Sequence, residues 1–240
     1  MMQDIYGWRA KLGLIYPSSS WVMEPEFYAM SPSGVITCTT RVLLEDCSVA
    51  GLQKMGMQVV DSAKLLAGSE ADAIVLGCTS GSFVNGIEYN NDLIKRMEDA
   101  SGRPCTTTTS SLIAALEALN IQKVAIATPY VPEVNQRAKA YFEKCGIEVT
   151  HIEGLGYIYD TDIHGQSLEK NFAYAKKVDR MEVNAVLILC TAMRSIPIIE
   201  ALEADLGKPV LSAIQSSFWH TLRLAGVQEK INGFGSLLQH

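Results

Sequence analysis

A repeat with a spacing of 112 residues is the feature that most limits how this chain of 240 residues can fold. The segment "KLGLIYPS", which begins at Lys11, returns as "KVAIATPY" from Lys123, and "DAIVLGCT" from Asp72 returns as "NAVLILCT" from Asn184. The pairs "GRPC" and "GKPV", and then "SSLIAALEALNI" and "SSFWHTLRLAGV", follow in the same order. One structural unit that occurs twice predicts two similar lobes, at residues 1–120 and 121–240. The C-terminal helix is free to cross back to the first lobe.

Short apolar runs alternate with longer helix-like segments in both halves. The predicted strands are residues 11–17, 71–77, 103–108, 123–129, 148–155, 183–190 and 208–213. The predicted helices are residues 51–67, 89–102, 110–120, 131–146, 166–180, 195–207 and 216–226. This alternation predicts an α/β fold, with parallel sheets covered by helices on both faces. We therefore expect two Rossmann-like lobes related by a pseudo-twofold axis, with the active site in the cleft between them.

Cys78 and Cys190 occupy equivalent positions of the repeat, each directly after a predicted buried strand. A single cysteine at such a place is usually structural, because free cysteine is among the most buried residue types. Two at matching strand ends point to function instead, since ligands of open α/β sheets bind beyond the carboxyl ends of the strands. If the lobes face each other, both thiols point into one cleft from opposite sides.

Composition and motifs exclude several classes of protein. The net charge is −6 and the sequence has no cluster of Lys and Arg, which argues against a nucleic-acid partner. No apolar run reaches the roughly 18 residues of a membrane span, and the start lacks the features of a signal peptide, so we expect a cytoplasmic protein. CxxC and HExxH motifs are absent, so the sequence signals no metal site. The other four cysteines (38, 47, 105 and 145) are interpreted as core or incidental.

Two opposed thiols suit cofactor-free racemisation or isomerisation, because one can remove a proton while the other delivers one from the opposite face. A helix N-terminus lowers the pKa of a cysteine, and both residues precede predicted helices. The negative charge that forms on a carboxylate needs prearranged donors. Candidates for substrate binding follow the strands, at Pro17, Ser18, Ser19, Ser20, Thr79, Ser80, Tyr130 and Thr191.

Cationic residues are the alternative carboxylate ligands. Arg41 and Arg194 could each hold a carboxylate through two hydrogen bonds, although a structural pairing or a solvated position is the commoner role. His220 lies in a helical stretch and is interpreted as a core or surface histidine. His151 and His164 have no spacing that suggests a ligand set.

At these motifs the chain resembles the aspartate/glutamate racemase superfamily, within the branch of maleate cis-trans isomerase and arylmalonate decarboxylase. The resemblance is carried by "YPSSS", "GCTSGSF", "GRPCTTTTSSLIAALEALNI", "ATPYVPEVNQR", "LILCTAMRS" and "GKPVLSAIQSSFWHTLRLAG". It implies a site between two lobes, with neither cofactor nor metal, and it hints at a homo-oligomer. The two cysteines of the isomerases correspond to Cys78 and Cys190, and the carboxylate-binding hydroxyls of the decarboxylases correspond to Thr79, Ser80 and Tyr130.

The resemblance also leaves alternatives open. Decarboxylases of this branch keep only the second cysteine and have glycine at the first, so Cys78 favours an isomerase. The isomerase pattern has asparagine where this chain has Ser20, and a second asparagine is replaced near Thr161, so maleate itself is in doubt. We expect a cofactor-independent isomerase or racemase of a small carboxylic or dicarboxylic acid. The alternatives are a lyase that uses Cys190 to protonate a decarboxylated malonate, and a non-catalytic protein that binds small acids.

Overall fold

Within residues 5–240, eight strands form two separate four-stranded parallel sheets. The computed structural model describes residues 5–240, so residues 1–4 of the predicted first lobe lie outside it. The strands are β1 (Ala10–Pro17), β2 (Val35–Val42), β3 (Ala73–Leu76), β4 (Cys105–Thr107), β5 (Lys123–Thr128), β6 (Glu148–Gly154), β7 (Ala185–Ile188) and β8 (Val210–Ser212). Their spatial orders, β2-β1-β3-β4 and β6-β5-β7-β8, are the same order written twice. The predicted α/β fold with two similar parallel sheets is confirmed. The division at residue 120 into separate folding units stays a prediction.

The repeat holds residue by residue at the centre of each sheet. In the first sheet Leu12 pairs with Ala73, and in the second Val124 pairs with Ala185, which is the same pairing displaced by 112 residues. The edge strands follow the same offset at Lys11 and Lys123, until a bulge between Val124 and Ala125 shifts the register of β6 by one residue. Strand ends that are equivalent in sequence are therefore equivalent in space.

Eleven α-helices connect and cover the strands within the described residues. They are α1 (Met23–Met30), α2 (Val49–Gly56), α3 (Val59–Gly68), α4 (Thr79–Phe83), α5 (Ile87–Ser101), α6 (Thr108–Ala118), α7 (Pro132–Lys144), α8 (Asp160–His164), α9 (Leu168–Val178), α10 (Ile199–Leu206) and α11 (Ala213–Leu224). The predicted helix over residues 51–67 is in fact two helices, α2 and α3. None of the helices within residues 5–240 combines the length and apolar character needed to cross a membrane.

Helices α6 and α11 begin in equivalent ways, each with a hydroxyl cap. Thr107 accepts a hydrogen bond from the amide of Ser110, and Ser212 accepts one from the amide of Gln215 in a reciprocal capping box. Helix α6 was predicted to begin at Ser110 and in fact begins at Thr108, because Thr107 already caps it. Each capping residue is also the last residue of its strand, Thr107 of β4 and Ser212 of β8. Each short strand therefore leads directly into its helix.

Helix α11 joins the second sheet to the first. Its Phe218 meets Phe27 of α1 edge-on, with the ring centroids 5.3 Å apart, and the Ser217 hydroxyl donates to the Thr108 hydroxyl over 3.1 Å. One hydrophobic cluster includes residues of both sheets, and a second cluster covers the other face of the first sheet. The C-terminal helix therefore does pack on the first lobe, and a shared core holds the two sheets together.

A buried carboxylate makes a second connection between the sheets. Glu26 of α1 is 8% exposed and accepts hydrogen bonds from the Ser195 amide (2.8 Å), the Ser195 hydroxyl (3.1 Å) and the Ile196 amide (3.2 Å). These donors begin the 3-10 turn Ile196–Ile198, which follows Cys190 closely. Burial raises the pKa of Glu26 to about 7, although the three hydrogen bonds act in the opposite direction.

Replacing Glu26 with Gln should remove a component of the pH dependence of stability. Because the folded pKa of about 7 exceeds the unfolded value of 4.5, the protonated form favours the folded state. The associated stability is fully present below the unfolded pKa and is lost as the pH rises through 7. We expect the free energy of unfolding of the native protein, measured with urea, to fall by about 3 kcal/mol more than that of Glu26→Gln between pH 4.5 and 8.

The exposed Glu200 of α10 provides the matched control for this comparison. Glu200→Gln makes the same chemical change without the burial, so its stability should follow the native pH profile. A Glu26→Gln profile parallel to the native one would contradict the assignment.

Candidate active site

The two repeated cysteines leave their sheets at equivalent points. The Gly77 amide donates to the Ile15 carbonyl over 2.6 Å, and the Leu189 amide donates to the Ala127 carbonyl over 2.9 Å. These are the last contacts of each central strand pair, and Cys78 and Cys190 are the residues that follow them. The carboxyl ends of parallel strands lie at one edge of a sheet, so each thiol is placed at the edge where such folds bind ligands.

A direct hydrogen bond joins the two cysteine turns. The hydroxyl of Thr191, the neighbour of Cys190, donates to the carbonyl oxygen of Gly77, the neighbour of Cys78, over 3.2 Å. Thr191 is 6% exposed, so water does not compete strongly for this bond. The two strand ends therefore meet at one buried place. We call it the lobe junction and define it by Cys78, Cys190, the residues that contact them, and the adjoining hydrogen-bonded cluster of Ser19, Asp160 and Cys47.

Both thiols are almost closed to solvent. Cys78 is 3% exposed and Cys190 is 4% exposed. Burial raises the pKa of each to about 12, and the charge of Asp160 contributes to both increases. The expectation that helix N-termini lower these pKa values is wrong. Helix α4 after Cys78 has only five residues, and an irregular turn, not an α-helix, follows Cys190 directly, so desolvation dominates.

Each thiol has its own pair of hydrogen-bond donors. The Gly81 amide and the Ser80 hydroxyl contact the sulfur of Cys78, and both lower its pKa against the effect of burial. The Ala192 amide donates to the sulfur of Cys190 over 3.3 Å, and the Tyr130 hydroxyl also donates to it. Donors of this kind stabilise a thiolate. The junction therefore opposes ionisation by exclusion of water and favours it by direct contacts.

Space at the Cys78 turn is tight. A methyl group on Gly81 would lie 3.0 Å from the sulfur of Cys78 and 2.5 Å from the terminal methyl of Met55. Real side chains do not approach so closely without displacing a neighbour. A larger residue at this position would displace the Met55 side chain or the sulfur of Cys78.

Thr79 supplies a hydroxyl without a partner. Its side chain is 1% exposed, and its Oγ1 makes no hydrogen bond within the described chain. Most buried hydroxyls are hydrogen-bonded, and an exception calls for an explanation such as an absent ligand. Nearby hydroxyls are occupied, because Ser82 donates to the Thr79 carbonyl over 2.8 Å and also contacts Thr109. Thr79 thus has free bonding capacity directly beside Cys78.

The loop after β1 contributes one side chain to the opposite lobe. Pro17 ends the strand, Ser18 is exposed and accepts from the Leu44 amide over 3.4 Å, and buried Ser20 accepts from the Val22 amide over 3.4 Å. Ser19 instead donates to a carboxylate oxygen of Asp160 over 2.5 Å. Of the four predicted residues in this loop, Ser19 is therefore the one whose side chain bridges to the second lobe.

Asp160 is a residue of the lobe junction that the sequence analysis missed. It begins α8, is 6% exposed, and accepts a hydrogen bond from the Cys47 thiol over 3.6 Å in addition to that from Ser19. Its charge raises the pKa of Cys47, Cys78 and Cys190, so it acts on all three sulfur atoms. In the structure Asp160 precedes the fully buried Ile163 by three residues and shares its helix face.

Cys47 also has a different environment from the one expected. The structure confirms that Cys47 is buried, but its contacts show that it is not incidental. Its thiol contacts Asp160, and its amide donates to the Ile158 carbonyl of the second lobe over 2.9 Å. The segment before α2 therefore closes over the lobe junction from the first lobe.

The charged alternatives have other partners, although the buried Nε of Arg194 has none within the described residues. Arg41 pairs with Glu24 over 2.8 Å and lies over the Tyr16 ring, 4.1 Å from its centre. Arg194 donates to the Gln166 carbonyl. His220 contacts Thr106 over 3.1 Å and Ser111 over 3.3 Å between α11 and the first lobe, which makes it a core histidine. Within residues 5–240, no three His, Cys, Asp or Glu side chains are arranged to hold a metal ion.

The fold agrees with comparisons to known proteins. The sequence profile described as arylmalonate decarboxylase matches residues 12–238, so the chain belongs to the arylmalonate decarboxylase family. The arylmalonate decarboxylase of Bordetella bronchiseptica is 32% identical over 235 residues, covering 94% of this chain and 95% of that protein. A maleate isomerase of Nocardia farcinica is 28% identical over 243 residues, covering 95% of each.

A solved structure adds chemical detail for a relative. A mutant of Nocardia farcinica maleate cis-trans isomerase, with a covalently bound succinylcysteine intermediate, superimposes with a TM-score of 0.90 at 25% identity. The match covers 96% of this chain and 98% of that one. The expected resemblance to the maleate isomerase and arylmalonate decarboxylase branch is confirmed, and both relatives are enzymes.

Proposed function

We propose that this protein is a cofactor-independent isomerase or racemase of a small carboxylic or dicarboxylic acid, with Cys78 and Cys190 as an opposed acid–base pair. The observation that carries the proposal is the hydrogen bond from Thr191 to the Gly77 carbonyl, because it brings the two cysteine turns together. A thiol on each side of a bound acid supplies what inversion of a carbon centre requires, namely a base on one face and an acid on the other.

Proton transfer must begin with ionisation of one thiol. In the closed junction both pKa values are about 12, mainly because water is excluded. The donors at each sulfur, the Gly81 amide at Cys78 and the Ala192 amide at Cys190, lower the pKa against the effect of burial, so we infer that they assist ionisation of one thiol. A thiolate formed in this dry site is strongly basic toward the bound acid.

In racemisation the thiolate removes the proton α to the carboxylate, and the electron pair of the C–H bond moves onto the carboxylate as an enediolate. The opposite thiol then gives its proton to the other face of the carbon. In cis–trans isomerisation the thiolate adds to an alkene carbon instead, and the C–S bond breaks again after rotation about the former double bond. The succinylcysteine in the Nocardia farcinica relative supports such an adduct by analogy.

The hydroxyl groups of the junction are the proposed ligands of the carboxylate. Thr79 has an unpartnered Oγ1, and Ser80, Thr191 and Tyr130 lie beside the two thiols. Donors aimed at developing charge in a dry site stabilise it more than water does. We propose that Thr79 binds the carboxylate directly and that the other three exchange part of their present bonding for the enediolate.

Decarboxylation is the second candidate function. It is favoured by the family profile and by the 32% identity to the Bordetella bronchiseptica enzyme. In that reaction a malonate carboxylate leaves as CO₂, and Cys190 alone protonates the remaining enediolate. The presence of a second thiol at Cys78 weighs against it, because a donor on the other face would reduce the selectivity of protonation.

We expect Cys78→Ser and Cys190→Ser each to lower isomerisation or racemisation by at least about a hundredfold, because each removes one member of the acid–base pair. The measurements are solvent deuterium incorporation for racemisation and cis–trans conversion of an unsaturated acid for isomerisation, both followed by NMR, with CO₂ release recorded in parallel. Cys105→Ser is the matched control, since Cys105 is also buried but contacts Ser101 and Arg103 instead of the junction. Loss of CO₂ release in Cys190→Ser but not in Cys78→Ser would establish the decarboxylase.

Binding of small acids without deuterium exchange, cis–trans conversion or CO₂ release would establish a non-catalytic binding protein. In that case the native protein and both cysteine variants would show no turnover, and ligands would still shift the melting temperature.

Thr79→Val should make the protein more stable and less active. Valine matches the shape of threonine and removes a buried hydroxyl without a partner, so we expect a gain of about 1 kcal/mol in the free energy of unfolding. The rate of isomerisation should fall at least about tenfold, because a ligand of the carboxylate is lost. Stability is measured with urea and activity by deuterium incorporation.

Thr221→Val is the control for this substitution. The Thr221 hydroxyl is equally buried but donates to the Ser217 carbonyl over 2.6 Å, so its loss should lower stability and leave activity near the native level. A Thr79→Val protein that is less stable and fully active would contradict the proposed role.

The remaining expectations concern the cellular compartment, the binding partners and the oligomeric state. We propose that the enzyme acts in the cytoplasm on a small carboxylate, without nucleic-acid or membrane partners. Self-association, which the family resemblance suggests, stays a prediction.

A further inference from the structure

The lobe junction contains a carboxylate that the acid–base mechanism does not use. Asp160 is buried, and its two partners, the Ser19 hydroxyl and the Cys47 thiol, are neutral. Within residues 5–240, no Lys, Arg or His forms an ion pair with it. Buried carboxylates are usually paired with a cation or fully hydrogen-bonded, because removal from water disfavours the charge.

Asp160 also has bonding capacity left. A carboxylate offers about four acceptor positions, and two protein donors occupy one position on each oxygen. Its partner Ser19 follows the carboxyl end of β1, at the same edge of the first sheet where Cys78 follows β3. Its charge accordingly raises the pKa of Cys47, Cys78 and Cys190. A molecule held between Cys78 and Cys190 therefore feels the same negative charge.

The negative charge of Asp160 should favour acids that carry a hydrogen-bond donor over dicarboxylates. A dicarboxylate placed between the thiols would bring a second negative group toward Asp160, and like charges repel strongly where water is excluded. A group that donates hydrogen bonds would gain a charge-assisted bond at the same position. The Thr79 hydroxyl can hold one carboxylate, and the acceptor oxygens of Asp160 are complementary to a donor on the same molecule.

We propose that Asp160 determines specificity by binding a hydrogen-bond donor of the substrate, an ammonium or hydroxyl group, and that the substrate is a monocarboxylate that carries this donor close to the reacting carbon. The assignment rests on the proposed function, because it places the substrate between Cys78 and Cys190. It narrows the substrate class from carboxylic or dicarboxylic acids to amino- or hydroxy-substituted monocarboxylic acids.

The test compares matched ligands of both kinds. The donor-bearing acids are alanine, lactate, phenylglycine and mandelate, and the dicarboxylates are maleate and phenylmalonate. Dissociation constants come from calorimetry, and deuterium exchange at the α-carbon from NMR in D₂O. The variants are Asp160→Asn and Asp162→Asn, of which the second removes an exposed carboxylate from the same short helix.

We expect the native protein to bind at least one donor-bearing acid about tenfold more tightly than either dicarboxylate. Asp160→Asn should reverse this preference, with a change of at least about a hundredfold in the ratio of the two dissociation constants, and Asp162→Asn should leave the ratio unchanged. Comparison of amino with hydroxy acids then identifies the donor. The native preference is itself a test if Asp160→Asn does not fold.

A native preference for dicarboxylates would overturn the assignment. An equal effect of Asp160→Asn on both kinds of ligand would also overturn it. Failure of the acid–base function is distinct, because it would appear as absence of deuterium exchange with every ligand. The binding preference and its dependence on Asp160 would remain measurable in that case and would still support the role of Asp160.

Discussion

The hydrogen bond between Thr191 and the Gly77 carbonyl is the contact on which the site depends. Each central strand delivers one cysteine to the edge of its own sheet, and this bond holds the two edges together. The shared core behind it, where Phe27 and Phe218 meet, prevents the sheets from separating as rigid bodies without loss of apolar contacts. Two copies of one α/β unit thus build a single junction with a thiol from each side.

Exclusion of water from the junction affects the free protein and the substrate complex differently. It raises the pKa of both thiols and so favours their neutral form. Neutral thiols are less reactive toward oxidants than thiolates are. It also strengthens every donor that meets an enediolate once a substrate is enclosed. The Cys47 region and the start of α8 lie beside the junction and are connected through Asp160 and through the Cys47 amide.

The repeat made the sheets predictable, because a fixed offset of 112 residues determines strand pairing as well as strand position. It also located both cysteines. Strand β2 and helix α1 were not predicted, since β2 has a half-buried pattern rich in threonine and α1 has weak amphipathicity. The expected lowering of the thiol pKa was wrong for Cys78 and Cys190. A sequence can show that a cysteine precedes a helix, but it does not show how completely the folded chain removes that cysteine from water. Asp160 was missed because a carboxylate followed by polar residues in a short helix is typical of exposed segments.

The most direct test of the central claim is a crystal structure of the protein with a small carboxylate bound at the lobe junction. The account predicts that the sulfur atoms of Cys78 and Cys190 lie on opposite faces of the carbon next to the carboxylate, each about 3–4 Å from it. The carboxylate should contact the Thr79 hydroxyl. A ligand bound elsewhere, or both sulfur atoms on the same face of the carbon, would contradict the account.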